Sequence, residues 1–478
     1  MQNFAADITS EYKFRDFLKS CRWRILTVFL LAYVVRLMFW VIFPPNLTSN
    51  DSGLRYLPTA INILNGNGFS LDTTPPFSPS EACVPLYPLF IAAVYAVFGS
   101  KPVAVVAVQI VLDLFTCLLV AFVSFNLAPP QLKKLSGVSS LVIYGVFSWF
   151  TFFWTVSLLT ETLAIFLTML TIALCISAMR NGRKSIWSWC GAGLSCGLAI
   201  LTRPDSLLLA AAVILFVSIR LLVHRSWKQS TSILSFCLAV ALTLTPWTVR
   251  NYLAFNKFQP LASEWAFTEG GYMPINYLYW IKTWMKDETY FYYVFNQAFI
   301  PGTEPFEPEK LPDDIFDSVE ERQRVTALME KYNQTLYFTP EIDEEFRLIS
   351  DERVKRSPLR FFIALPLKRT ASLWLTGFAT RHPHNKVLIL RILSVLPIII
   401  GGIAGFILCF RQSSLAAFLL SIIIIRTIFL AYHYAPETRY IVEVYPAMIA
   451  ACGVSVATVC LIILRRFKKS DETGQMVA

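Results

Sequence analysis

Leu86-Tyr-Pro-Leu-Phe-Ile-Ala-Ala-Val-Tyr-Ala-Val-Phe98 is a wholly apolar run of 13 residues. A helix needs about 20 apolar residues to cross the hydrocarbon core of a bilayer. At this length the run reads as an interfacial or re-entrant helix that does not cross. That reading decides the topology, because a crossing here would move every later loop to the opposite side. The longer apolar stretches fall near 25–43, 103–125, 138–153, 162–178, 186–201, 207–222, 233–245, 387–410, 415–432 and 441–464. With 86–98 left uncrossed, one set of loops is basic: Lys133-Lys134, 180–184, 224–228, Arg411 and the tail 465–469. Basic loops mark the cytoplasmic face. The other face then receives Asp51, Glu161, Arg203-Pro204-Asp205, Arg250-Asn251 and Arg439-Tyr440. These polar groups converge on one extracytoplasmic surface, where an active site is expected.

Composition agrees with an all-α polytopic integral membrane protein. The 478 residues are 55% hydrophobic and only 15% charged, outside the range of ordinary soluble domains. The net charge of +10 is spread over short loops and both tails. Membrane orientation accounts for it, and no nucleic-acid partner is required. The ten cysteines give neither a disulfide framework nor a Cys/His metal spacing. The polar start, 1–20, does not read as a cleavable signal, so the first span is expected to serve as the insertion signal.

Three regions follow. Residues 1–250 form an N-terminal transmembrane module whose first outer loop, 44–102, carries the chemistry. Residues 251–385 form an extracytoplasmic segment with interfacial helices, and 386–478 supply the last spans and a cytoplasmic tail. In the middle region Thr339-Pro340-Glu341 has the pattern of a helix start, with Thr as N-cap, Pro in the first turn and an acid beside it. Phe346, Ile349 and Val354 would form its apolar stripe. The amphipathic stretch 360–378 is expected to lie on the membrane, since Lys368-Arg369 in its middle argue against a crossing. Within the spans, Arg36 and Asp113 fall at similar depth and are expected to pair, since lone charges are costly in lipid. Gly193-x-x-x-Gly197 and Gly401-x-x-x-Gly405 have the spacing of close helix contacts.

Several residues of the outer face could carry chemistry. Asp51 lies just past a membrane exit and is followed by Arg55 and Tyr56. A carboxylate there could act as a base beside a cation that stabilises a departing phosphate, or simply cap a short helix. Glu161 opens a span and could either cap it or, with Asp51, hold a divalent cation. Two carboxylates fall well short of the roughly six oxygens a hard ion requires. Arg203 and Asp205 could be a turn, whereas Arg250 and Arg439 stand on the face where cations are less expected. His433 could bond a sugar or phosphate oxygen or pack at the interface.

In order along the chain, Asp51, Tyr56, a Gly-containing turn and Pro85-x-Tyr87-Pro88-x-Phe90, then Thr202-Arg203-Pro204, Pro246-Trp247-Thr248-Val249-Arg250-Asn251, and Arg439-Tyr440 before Pro446 resemble the GT-C class of membrane glycosyltransferases. The nearest likeness is to the protein O-mannosyltransferases and the lipid A aminoarabinose transferases. The resemblance implies a GT-C-like fold of ten or more transmembrane helices, with interfacial helices in the first outer loop and a small extracytoplasmic domain. It implies a sugar donor on a polyprenyl phosphate, transfer with inversion and Asp51 as the base. The acceptor would be a lipid, a glycan or a protein. Arg55, Tyr56, Glu81, Arg203, Arg250, Asn251, His433, Arg439 and Tyr440 are the corresponding candidates for donor and phosphate binding. Relatives carry an acidic pair where this chain has Asn50-Asp51, and a Lys after the Glu where it has Cys83-Val84 beyond Glu81. Arg55, Arg203, Arg250 or Arg439 would have to supply that missing charge. No cofactor is implied, and a divalent cation at Asp51 and Glu161 is a candidate only. The setting implied is a bacterial inner or plasma membrane, with the site facing outside. The rival reading is a polytopic transporter or lipid flippase, against which stands the absence of any internal repeat.

Overall fold

The computed structural model describes residues 13–42, 52–180, 185–224, 227–263, 272–299, 305–376, 385–410, 413–434 and 436–475, together with Pro44 and Leu47. Asn50, Asp51, His382 and His384 lie outside the described residues. Among the described residues, nine helices are long and apolar enough to cross a membrane, or ten if one bent pair counts as a single broken span. All ten coincide with the stretches expected from hydropathy.

The chain opens with a short helix α1 (Phe14–Ser20) and the first span α2 (Arg22–Ile42). A π-turn over Ser52–Tyr56 leads into α3 (Leu57–Leu64), and α4 is the short apolar helix Leu86–Phe98. At about 1.5 Å per residue α4 is roughly 20 Å long, too short for the hydrocarbon core. Span α5 (Pro102–Leu127) is followed by the bent pair, in which α6 (Lys133–Val142) runs through a π-turn and breaks by 61° before α7 (Trp149–Thr155). Spans α8 (Glu161–Arg180), α9 (Ser185–Thr202), α10 (Leu207–His224) and α11 (Trp227–Phe255) complete the first module. The expected end of α11 at Pro246 is corrected: the helix continues through the proline to Phe255, which puts Arg250 and Asn251 on its last turns. A proline ring interrupts one backbone bond of a helix without having to end it when tertiary contacts hold both halves.

The outer segment contributes α12 (Ile275–Lys282), α13 (Phe291–Phe299), α14 (Val319–Thr335) and α15 (Pro340–Arg356). Thr339 caps α15, its hydroxyl accepting from the Ile342 amide at 3.4 Å. Phe346 and Ile349 enter a core of their own with Tyr277, Trp280, Val325 and Tyr332. Arg360 and Arg353 converge on Asp317. Burial pushes that carboxyl upward, but the Arg360 hydrogen bond and the Arg353 charge outweigh it and hold it below the usual range.

The chain returns along α16 (Leu365–Ala371) to the last spans α17 (Asn385–Phe410), α18 (Ser414–Tyr432) and α19 (Tyr445–Gln475). In α16 the two neighbouring cations separate, Lys368 lying exposed and Arg369 turned inward. Arg369 is fully buried, while Phe362, Ile363 and Leu367 face outward. Its guanidinium donates to the carbonyls of Met285 at 2.8 Å and Ala431 at 3.2 Å, and to that of Lys282. Burial pushes its pKa down to about 10.

Close helix contacts hold the bundle together. A Cβ on Gly197 would sit 2.6 Å from the Cβ of Thr243 in α11, and one on Gly401 2.6 Å from the sulfur of Cys452 in α19. Gly193 and Gly405 face the carbonyls of Phe236 and Ala451 so closely that no side chain fits. Both Gly-x-x-x-Gly pairs therefore act as packing surfaces. Arg36 and Asp113 form the expected buried ion pair, completed by the Tyr144 hydroxyl on Asp113 and by Arg36 donating to the carbonyls of Ala32 at 2.9 Å and Gly145 at 2.8 Å.

Candidate functional site

Span α5 gives the bundle its two ends. At one end Phe14 packs on Phe122 and Phe125 with centroids 5.0 and 5.4 Å apart, and the Lys133 ammonium lies 5.6 Å from the Phe125 ring. At the other, Gln109 accepts from the Tyr87 hydroxyl at 2.7 Å and donates to the carbonyls of Thr155 at 2.9 Å and Ser157 at 2.7 Å. The 16 residues between Gln109 and Phe125 correspond to about 24 Å of helix. The basic Lys133 loop and the polar cluster therefore occupy opposite ends, as the loop pattern requires.

At the Gln109 end the chemistry gathers around Arg203, the last residue before the turn into α10. Its guanidinium meets three carboxylates: Glu161 at 2.8 Å, Glu443 at 2.9 Å and Asp205 at 3.1 Å. It also donates to the Thr160 hydroxyl at 3.1 Å and lies 4.9 Å from the centre of the Tyr440 ring. Arg426, from α18, bridges the same acids, reaching Asp205 at 2.6 Å and Glu443 at 3.0 Å, and donates to the Tyr440 carbonyl. Glu161 and Glu443 are fully buried, and both arginines nearly so. Three carboxylates and two guanidiniums thus bind together the ends of α8, α9, α18 and the turn before α19. Glu161 turns Oε1 to Arg203, while its buried Oε2 makes no hydrogen bond among the described residues. No group of three or more His, Cys, Asp or Glu suited to a metal occurs among the described residues.

Two further groups of candidate residues join this end. In the first outer loop, Tyr56 packs edge-on against Tyr87 at 5.0 Å, and Arg55 stands in the turn just before it. Arg250 donates to the carbonyls of Ser80 at 2.7 Å and Phe69 at 3.0 Å, and its guanidinium is ringed by Trp247, Phe69 and Phe255 at 4.9 to 5.3 Å. Asn251 accepts from Arg250 at 2.9 Å and donates to the Gln259 carbonyl at 2.7 Å. Glu81 lies within electrostatic reach of Arg250, and its Oε2 is buried without a hydrogen bond among the described residues. Arg250 and Asn251 thus staple the first outer loop to the end of α11.

The second group is the turn before α19. Arg439 pairs with Glu437 at 2.7 Å and lies 5.1 Å from the Tyr440 ring centre. Its side chain remains 22% exposed, against 8% for Arg203 and 4% for Arg426. His433 stacks on Tyr434 at 4.2 Å and Phe429 at 5.4 Å. Thr438 donates both its amide and its hydroxyl to Glu288 of the outer segment. Sequence reasoning missed Glu288, Glu443 and the pairing of Arg426: Glu288 meets Thr438 across 150 residues, Arg426 meets Asp205 across 221, and nothing local marks Glu443.

This arrangement, a bundle of nine or ten spans with a polar cluster at the end bearing the first loop and a further helical segment, is the fold of the solved membrane proteins it matches. Residues 79–249 match the family described as dolichyl-phosphate-mannose-protein mannosyltransferase. Among solved structures, the chain is similar to the oligosaccharyltransferase AglB of Archaeoglobus fulgidus in complex with an inhibitory peptide and a dolichol-phosphate. The identity is 14%, covering 95% of this chain and 52% of that one, at a TM-score of 0.54. It is also similar to the Archaeoglobus fulgidus oligosaccharyltransferase tethered to an acceptor peptide containing the NVT sequon, at 12% identity, with 93% and 50% covered and a TM-score of 0.53. The chain spans about half the length of these archaeal proteins. No curated protein matches it.

Proposed function

We propose that this protein is a glycosyltransferase that moves a sugar from a polyprenyl-phosphate donor to a hydroxyl or amine acceptor at the extracytoplasmic face of a membrane. The observation that carries the reading is the gathering of Glu161, Arg203, Arg439 and Tyr440 at the end of the bundle opposite the Lys133 loop, with Tyr56 packed on Tyr87 at that same end. The archaeal structure with dolichol-phosphate supports a lipid-borne donor, and the protein mannosyltransferase match supports a sugar as the group transferred.

In this mechanism Asp51, which leads directly into the Ser52–Tyr56 turn, takes the acceptor proton. The acceptor attacks the anomeric carbon from the side opposite the phosphate, with inversion. The bond from that carbon to the phosphate oxygen breaks, and the electron pair leaves on the phosphate. Arg439, whose side chain remains 22% exposed, and Arg55, in the turn that follows Asp51, are the cations assigned to neutralise it. Held donors aimed at a developing phosphate charge contribute through positioning, without reorganisation during the step. Incubation with a labelled undecaprenyl-phosphate or dolichyl-phosphate sugar tests the reading. Free polyprenyl phosphate should accumulate with the parent protein and fall by at least about a hundredfold with Asp51→Asn, the usual contribution of a positioned base. Vectorial movement of the intact glycolipid without cleavage would favour the transporter class instead.

A further inference from the structure

The turn that carries Arg439 and Tyr440 is gripped from two sides. From the bundle, Arg203 lies against the Tyr440 ring and Arg426 donates to the Tyr440 carbonyl. From the outer segment, a single carboxylate oxygen, Oε1 of Glu288, receives both the amide and the hydroxyl of Thr438. Glu288 is 2% exposed and Thr438 3%, so water does not compete for these bonds. Glu288 belongs to the connection between α12 and α13, which is itself fixed. Arg369 holds the carbonyls of Lys282 and Met285, and the Glu288 carbonyl accepts from the Phe291 amide at 3.2 Å. Arg391, at the start of its span, is buried within electrostatic reach of Glu288 and hydrogen-bonded to Tyr445. Phe295 of α13 packs on Tyr434, and both Tyr434 and Tyr440 pack against the outer core.

A carboxylate that accepts two bonds from one residue fixes the position and the tilt of that residue's peptide plane. The next residue along is Arg439. We propose that Glu288 is a positioning residue: through Thr438 it sets the Glu437-Thr438-Arg439-Tyr440 turn, so that the outer segment determines where the Arg439 guanidinium meets the phosphate of the lipid carrier. The inference rests on the reading of Arg439 as a phosphate ligand. It assigns the outer segment a part in donor binding with no group of its own on the donor.

A double-mutant cycle on the full-length protein in nanodiscs tests it, with calorimetric titration of undecaprenyl phosphate as the readout. Arg439→Ala should weaken binding about tenfold or more, the scale of one charge-assisted contact. Glu288→Ala should produce a loss of similar size, Thr438→Val a smaller one, and Glu288→Gln should recover most of it, since an amide oxygen can still accept both bonds. The double variant Glu288→Ala/Arg439→Ala should bind no more weakly than Arg439→Ala alone, because Glu288 acts through Arg439. Losses that multiply would overturn the positioning role, as would parent-like binding by Glu288→Ala and Thr438→Val. If Arg439→Ala itself binds as the parent does, the phosphate reading falls and the inference with it; that result differs from one in which Arg439 matters and Glu288 does not. Should Glu288→Ala fail to fold, Thr438→Val combined with Arg439→Ala closes the same cycle.

Discussion

Replacing Arg203 with methionine should destabilise the protein far more than neutralising any one acid it holds. At full ionisation the buried cluster has three carboxylates (Glu161, Asp205, Glu443) and two guanidiniums (Arg203, Arg426), a formal charge of −3 + 2 = −1. Arg203→Met takes this to −2 and leaves Glu161 without its guanidinium, while Arg426 retains Asp205 and Glu443. Removing one partner of a buried ion pair costs about 3–5 kcal/mol, because an uncompensated charge stays behind. Glu443→Gln takes the formal charge to zero and keeps an oxygen for both arginines, so its cost should be within about 1.5 kcal/mol, the net scale of one hydrogen bond. The double variant Arg203→Met/Glu161→Leu should regain a substantial part of the loss, a coupling expected of groups in contact. Reversible unfolding in mixed micelles by added dodecyl sulfate gives these differences directly. Equal stability of Arg203→Met and Glu443→Gln would refute the charge accounting, and so would a double variant no better than Arg203→Met.

Asp113→Ala should cost about 3–5 kcal/mol by stranding Arg36, whereas Arg36→Met/Asp113→Leu together should be nearly neutral; thermal unfolding of both in nanodiscs compares them. Gly405→Leu should prevent close approach of α17 to α19 and leave little folded protein, which size-exclusion profiles and protease sensitivity would report. Asp317 has its pKa lowered in the fold, so its contribution is present above the ordinary carboxylate range near pH 4 and is lost as pH falls through the depressed value. Fluorescence of the outer-core residues Trp280 and Trp284 against pH should therefore show an acid transition that Asp317→Asn flattens.

Much of the fold was legible in the residues, for identifiable reasons. Spans announce themselves because lipid demands uninterrupted apolar length, and the failure of Leu86–Phe98 to meet that length was informative in itself. The Thr339-Pro340 start of α15 was readable because capping is local chemistry. The Arg36–Asp113 pair was readable because the membrane admits few lone charges. What escaped were contacts made across long separations. Nothing local marks Glu443 as the acid between Arg203 and Arg426, or Glu288 as the acceptor for Thr438. In the stretch 360–378 the burial of Arg369 was not legible, since periodicity tells which residues share a face but not which face a neighbour covers. Likewise Pro246 reads as a helix end until the packing that carries α11 to Phe255 is seen.

Arg369 grips the connection between α12 and α13 by main-chain oxygens, and this has a consequence for variation. Every residue type at positions 282 and 285 supplies the same carbonyl, so these bonds do not depend on the side chain there. The burden falls on position 369 alone: a lysine, with one compact ammonium in place of a planar fork, cannot reach three separated acceptors in fixed directions. A joint assembled this way keeps these bonds through exchange at positions 282 and 285 while forbidding one conservative swap beneath it.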